Sequence, residues 1–271
     1  GMMRKAYFLP LAALYIGIVA GLIADSTVAR AALEAPQNGM RPGSWASANK
    51  QFFGTAVDDY SRPAGQGARS RVWFTGGSGV VTEVFFPTVD TPQVRDTQFL
   101  VTDGQGYFAE ERQLESTVEW VTEGVPMYRV RTWDPAGRFE IEKRVFTDPA
   151  QDALVVSVTI RRKVDGLRFF VLHNAEVNNT PMDDSAELRG FAYPQAPGAT
   201  PTDPISPLDA KALVAWDAGQ GGRVAPAAQA LVSTVGWRAA GVGFVGANDG
   251  YTDLAQDFSM DFKYSKATRG N

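Results

Sequence analysis

The sequence predicts an all-β protein folded as one large antiparallel sandwich, and three observations predict it. Apolar and polar residues alternate with a period of two in run after run from Arg71 to Tyr264, the pattern of strands that bury one face of a sheet. Gly, Pro, Asn and Asp punctuate the runs at short intervals, where they supply the fixed or positive φ that tight turns need. No amphipathic helix of ordinary length interrupts them.

Composition is compatible with a packed core. The 271 residues are 44% hydrophobic and 21% charged, ordinary values for a globular chain. The net charge is −4, with no basic stripe, so a nucleic-acid partner has no electrostatic footprint to rest on. There is no cysteine, which excludes a disulfide framework, a thiolate metal site and a lipidated cysteine.

The elements follow in chain order. Arg4 and Lys5 precede an uncharged stretch, Ala6 to Ala24, and Ala29-Arg30-Ala31 offers a small-x-small cleavage site. Residues 1–31 therefore read as an export signal, with an uncleaved membrane anchor as the alternative because the stretch approaches spanning length. Gly1 ahead of Met2 reads as a cloning scar. The expected location is periplasmic or extracellular, with no membrane contact once the leader is cut. Residues 32–271 read as a single domain, opening with an extended lead-in over 32–70, rich in Gly, Pro, Ser and Ala.

Arg71 to Thr75, Val80 to Phe86 and Thr97 to Thr102 favour strands, with turns at Gly76 to Gly79 and Asp103 to Gly106. Tyr128 to Trp133 and Phe139 to Val145 alternate about the turn Asp134-Pro135-Ala136-Gly137, predicting a hairpin. Leu154 to Arg161 and Leu167 to Leu172, joined at Asp165-Gly166, extend it to a four-strand meander. A loop over 194–207 holds five prolines and separates a second β-rich block. In that block Leu213 to Trp216, Ala230 to Trp237, Gly241 to Val245 and Phe258 to Tyr264 are expected strands, with a turn at Asn248-Asp249-Gly250.

Chemistry is sparse. His173 is the sole histidine, so a His-rich metal site cannot be built, and no Gly-x-Ser-x-Gly elbow or phosphate-binding glycine loop accompanies it. A hydrogen-bonded structural histidine is the expectation. Glycoside hydrolysis needs two carboxylates flanking one bond, and the sequence singles out no such pair. Glu110 and Glu111 are neighbours on an expected strand, which sends them to opposite faces, and they read as solvated surface charge. Asn178, Asp183 and Asp184 share a loop whose oxygens could serve calcium, although no ligand spacing matches a known calcium loop. No other cofactor is expected. Trp73, Trp133 and Trp237 fall on expected strands as packing residues, leaving Trp45 and Trp120 as rings that could stack on sugar.

The stretch from Thr82 to Gly104, with Phe85-Phe86-Pro87, Asp90-Thr91 and Gln93-Val94-Arg95-Asp96, resembles the N-terminal domain of bacterial glucoamylases and glucodextranases. The likeness includes Val72-Trp73-Phe74 before it and continues in order through Phe108 to Arg112, Phe146-Thr147-Asp148-Pro149, His173-Asn174 with Asn178-Asn179, and Val242 to Gly246 with Asn248-Asp249-Gly250. It covers about Gly43 to Asn271. The segment His173-Asn174-Ala175-Glu176-Val177 departs from the proline-containing version common in that family.

The resemblance implies a wide antiparallel supersandwich, related in architecture to galactose mutarotase-like domains, ahead of a helical barrel that carries two catalytic glutamates and has no counterpart here. It implies an accessory domain of an enzyme that releases glucose from α-glucans with inversion, its partners being the catalytic domain and α-glucan. The contact with that barrel is expected at Phe85, Phe86, Pro87, Thr88, Asp90, Arg95 and Asp96, the alternative being that Arg95 and Asp96 pin a loop within the domain. A free-standing carbohydrate-binding module and a mutarotase-like enzyme are the other functional readings.

Overall fold

The computed structural model describes residues 12–19, 34–36, 50–57, 69–180, 183–189, 212–219, 225–262 and 264–270, the first of these as backbone only. Trp45, the proline-rich loop 194–207 and most of the leader and lead-in lie outside the described residues.

Among the described residues, fifteen strands form two antiparallel sheets, accompanied by one short α-helix. They are β1 (Ala12–Val19), β2 (Phe52–Gly54), β3 (Trp73–Gly77), β4 (Val80–Phe85), β5 (Pro92–Thr102), β6 (Phe108–Glu110), β7 (Glu115–Thr122), β8 (Val125–Trp133), β9 (Phe139–Thr147) and β10 (Ala153–Arg162). Next come β11 (Arg168–Ala175), β12 (Asp184–Arg189), β13 (Ala212–Asp217), β14 (Ala227–Ser233), α1 (Gly250–Asp257) and β15 (Lys266–Gly270). The larger sheet has the order β15-β12-β13-β14-β1-β10-β9-β8-β7, and the smaller has β11-β5-β4-β3-β2 with β6 also paired to β5.

Three of the four strands of the predicted meander are present, β8, β9 and β10 lying side by side in the larger sheet, whereas β11 crosses to the smaller sheet and pairs with β5. The β8–β9 turn closes through Gly137 N–H donating to Asp134 O at 2.8 Å, and Gly137 supplies the positive φ of 73° that a side chain would oppose. Asp134 then clamps the hairpin by accepting from Arg138 Nε at 2.7 Å and Nη2 at 2.8 Å, while the same guanidinium covers the Tyr107 ring at 3.7 Å. Alternation sends Ile141 and Val145 of β9, Leu154, Val156 and Val158 of β10, and Phe74, Val84 and Val101 of the other sheet into one shared core. Aromatic contacts bind the layers directly: Phe139 meets Phe169 edge-on at 5.5 Å, and Tyr128 meets Phe52 at 5.0 Å.

Ala12–Val19, inside the expected leader, pairs with β10 on one side and β14 on the other. The lead-in also contributes β2, whose Phe52 is a core residue.

Five further expectations are corrected. Phe258 to Tyr264 is not a strand: Asp253 Oδ2 accepts the N–H groups of Asp261 at 2.7 Å and Phe262 at 2.8 Å, so a side chain takes donors that a ladder would have used. Gly241 to Val245 is irregular, and Trp237 lies beyond the end of β14. The turn expected at Asn248 to Gly250 instead begins α1, where Asp249 caps the helix by accepting from Thr252 N–H at 2.6 Å. Glu111 is not surface charge. It opens a 3-10 turn after β6 and is fully buried, accepting from Lys143 Nζ at 2.5 Å, Thr132 Oγ1 at 2.8 Å and Phe99 N–H at 2.9 Å. Lys143 also donates to Gly79 O at 2.5 Å, so one buried ion pair ties β9 to the opposite sheet.

Candidate functional site

The β4–β5 connection has an exposed tip and a buried base. Phe86 N–H donates to Thr91 O at 3.0 Å and Thr91 N–H to Thr88 O at 3.2 Å, closing the loop over itself. Thr88 Oγ1 donates to Asp90 at 2.5 Å, and that bond holds the Asp90 carboxyl below its ordinary range. Pro87, Thr88, Val89 and Asp90 face solvent, and Val89 is 50% exposed.

The rest of the expected contact set is used inside the domain. Phe85 and Phe86 are buried, with the Arg71 guanidinium over the Phe86 ring at 4.9 Å. Asp96 is buried between Arg112, whose Nη2 lies at 2.5 Å, and the Asn174 carboxamide, which donates to it. Arg95 is half-buried. Of the seven residues, Pro87, Thr88 and Asp90 alone form an outward face.

Beneath this loop runs a polar network that periodicity did not disclose. Gln93 Nε2 donates to Phe86 O at 2.8 Å, and Gln93 Oε1 accepts from Asn178 N–H at 2.9 Å. Asn178 Nδ2 donates to Ala225 O at 2.8 Å and to Asp217 Oδ2 at 3.3 Å. Gln229 Nε2 donates to Gln93 O at 2.5 Å, while Gln229 Oε1 meets His173 Nε2 at 3.0 Å. The other ring nitrogen of His173 meets Thr97 Oγ1 at 2.8 Å, so both are held within the domain, and burial pushes the imidazole pKa down. A lone Gln inside an apolar strand, as in Ala-Ala-Gln-Ala-Leu-Val over 227–232, was the available signal, because a buried amide must find partners.

The three loop residues considered for calcium each have a partner within the domain. Asn178 is committed to the network, and Asp183 accepts from Arg269 Nη2 at 3.0 Å. Asp184 turns inward, where Val177 N–H donates to its Oδ2 at 2.9 Å and its Oδ1 has no partner. Burial, with the charges of Asp217, Glu176 and Asp183 adding to it, pushes the Asp184 carboxyl up to about 8. Glu176, 2% exposed, is raised by burial against the opposing charge of Arg95. A different carboxylate group, Asp253, Asp257 and Asp261, brings its oxygens within 4.8 Å of one another. Burial pushes Asp253 up to about 6 even though two backbone N–H groups donate to it.

Two further surfaces complete the picture. Trp120 on edge strand β7 is 48% exposed, with its ring 4.8 Å from Tyr128. Tyr128 Oη donates to Phe53 O at 2.8 Å, and Phe53, 51% exposed, stacks on Trp73 at 5.9 Å and 13°. Phe53 was missed, although adjacent aromatics on a strand must face opposite ways. Between β11 and the β12–β14 side lies a cavity of about 1140 Å³, lined by Phe170, Leu172, Leu213, Leu231, Trp237 and Phe244. Asp184 and Asp249 are the carboxylates on its described wall, and both oxygens of Asp249 already accept backbone N–H groups.

Comparison with known proteins places this geometry. The family model for glucodextranase domain N matches residues 35–271. A glucoamylase of Clostridium sp. (strain G0005) is 28% identical over 231 residues, which is 84% of this chain and 28% of that protein. The crystal structure of a bacterial glucoamylase complexed with acarbose superposes with a TM-score of 0.70 at 25% identity, covering 94% of this chain and 32% of the other. The chain thus spans about a third or less of the length of the relatives it matches.

Proposed function

Because the chain belongs to the glucodextranase domain N family, we propose that it is a non-catalytic accessory domain of an exported glycoside hydrolase acting on α-glucans, packed against a catalytic domain carried elsewhere in the full protein. The observation that carries this reading is the pairing of a family match over residues 35–271 with coverage of 28% and 32% of two glucoamylases. The cavity chemistry supports it. Bond cleavage needs one carboxyl as acid and another as base or nucleophile across the sugar, whereas Asp249 is spent on capping α1 and Asp184 on Val177. Export rests on the charge pattern of residues 1–31.

The outward tip Pro87 to Asp90 is the proposed contact with the catalytic domain. Its small apolar surface, ending in a carboxylate kept ionised by Thr88, suits a contact whose orientation is set by charge-assisted hydrogen bonds. Co-expression with a catalytic domain of this family tests it: Val89→Ser with Asp90→Ala is expected to abolish co-purification while the melting temperature of the chain is unchanged. Retained co-purification would remove the tip from the interface, and glucose released from starch or dextran by the purified chain would overturn the non-catalytic reading.

A second reading, a carbohydrate-binding module, is favoured by one observation, the exposed rings of Trp120 at the β7 end of the larger sheet and of Phe53 at the β2 end of the smaller one, linked through Tyr128. Aromatic faces of this kind stack on sugar rings through their apolar sides. Calorimetry with maltooligosaccharides and isomaltooligosaccharides tests it: heat that disappears in Trp120→Ala is expected, and no heat at millimolar ligand removes the reading. A mutarotase-like reading requires a histidine available to move a proton, and both ring nitrogens of His173 are engaged.

A further inference from the structure

We propose that the space between β10 and β14 is a strand-acceptor site, and that its occupant in this chain is the chain's own N-terminal segment, Ala12–Val19. The proposal stands whether or not the domain packs against a catalytic partner.

Topology carries the first part. In the larger sheet, β1 alone joins two four-stranded halves, β15-β12-β13-β14 and β10-β9-β8-β7. It runs antiparallel to both neighbours, with registers from Ala12↔Val158 to Gly17↔Ala153 on one side and from Leu14↔Ser233 to Val19↔Ala228 on the other. Without it, two long rows of backbone N–H and C=O groups would face each other unpaired in the middle of the sheet.

The sequences of β10 and β14 show that these rows are not built to be edges. Natural edge strands are protected by charge, proline or bulges. The end strands of this sheet obey that rule, with Glu115 and Glu119 on β7 and Lys266 and Arg269 on β15. By contrast Ala153 to Thr159 of β10 and Ala227 to Ser233 of β14 contain no charged residue and no proline. Leu154, Val156 and Val158 of β10 and Leu231 of β14 are core residues. These are interior strands, and an interior strand needs a partner on each side.

The family match begins at residue 35, so both walls of the site lie within the matched range and the strand that fills it lies ahead of it. Ala12-Ala-Leu-Tyr-Ile-Gly-Ile-Val19 has the chemistry the site selects: extended, uncharged and without proline. Main-chain hydrogen bonds on both sides provide the affinity, as in strand addition generally. The apolar N-terminal stretch therefore has a structural place in the uncut chain besides any role as a leader, and a cut after Ala31 would sever the strand from the domain it completes.

The absence of cysteine makes a direct test clean. In the full 271-residue chain, Ala13→Cys with Ser157→Cys, a facing pair in the register, is expected to form an intramolecular disulfide on mild oxidation. Ala13→Cys with Thr159→Cys, displaced by two residues, is expected not to. Deleting residues 1–31 should strip amide exchange protection from 153–158 and 228–233, and a lysine-tagged peptide of residues 12–19 added in trans should restore it. No disulfide in the facing pair, or undiminished protection of both strands after deletion, overturns the proposal. If the shortened chain does not fold, the disulfide comparison decides alone.

Discussion

Single residues set the chemistry of this domain through burial. Asp184 shows it most directly, since its carboxyl is pushed up to about 8 by burial and by the neighbouring charges of Asp217, Glu176 and Asp183. A carboxyl whose folded pKa exceeds its unfolded value keeps its proton while the unfolded chain loses one, so it subtracts stability as pH rises from about 4 to about 8. Asp184→Asn, which keeps an oxygen for Val177 N–H, is expected to flatten part of that decline and to raise stability at pH 8 by about 2 kcal/mol. Urea denaturation at pH 5 and pH 8 checks it, and an equal change at both values would show that the cause is not ionisation. Glu176 and Asp253, both raised by burial, leave a residual slope of the same sign. The Glu111–Lys143 pair is the opposite case, two charges satisfied by each other and by Thr132, Phe99 and Gly79. Removing one partner strands a buried charge, so Glu111→Leu is expected to cost about 3–5 kcal/mol, and adding Lys143→Met to recover most of it. Thermal melting of the single and double variants reads this out. Neither role was legible in the sequence, where Glu110-Glu111 has the look of surface charge; what buries Glu111 is its 3-10 turn after β6, a change of direction that alternation does not encode.

At the scale of elements, strands that bury one face were readable and elements that end or bend the sheet were not. Alternation located β8, β9 and β10 to within a few residues because each sets an apolar row against the core, and β11 was legible from the apolar run Phe169 to Leu172 after the Asp165-Gly166 turn. It missed β7, whose Glu, Ser and Thr positions leave the strand largely exposed, as an edge permits. It mistook Phe258 to Tyr264 for a strand because spacing alone cannot show that Asp253 takes the backbone donors. The helix α1 is eight residues long, too short for a helical period to emerge, and its signal lay in the cap. Asp249 accepts from Thr252 N–H at 2.6 Å and from Gly246 N–H at 2.8 Å, so Asp249→Ala loses a helix cap and a loop tie together. A loss of about 1–2 kcal/mol is expected, with faster amide exchange confined to Gly246 through Leu254. A global rise in exchange without that local pattern would argue against the capping role.

The whole molecule was legible through ordered motifs more than through periodicity, since Phe86-Pro87 and Gln93 to Asp96 gave the family while alternation gave only a β protein. The motifs earn their place in different ways: Phe86 and Asp96 hold the loop to the body, and Gln93 anchors the network under it. What the motifs could not show is where the two candidate surfaces sit relative to each other, because strand order in a wide sheet is not written in any one segment. The larger sheet ends at β15 on one side and at β7 on the other, eight strand steps apart. At about 4.8 Å per step, that is roughly 40 Å along the sheet. The Trp120 ring occupies the β7 edge of this sheet, whereas the proposed docking tip, Pro87 to Asp90, follows β4 of the smaller sheet. The two surfaces are therefore expected to act independently. Maltooligosaccharide binding, if carried by Trp120, should give the same heat and affinity whether or not a catalytic domain is associated, and Trp120→Ala should leave that association unchanged. Calorimetry on the chain alone and on the complex measures both; competition between the ligand and the catalytic domain would place the docking face at the β7 edge and displace the tip of the β4–β5 loop from that role.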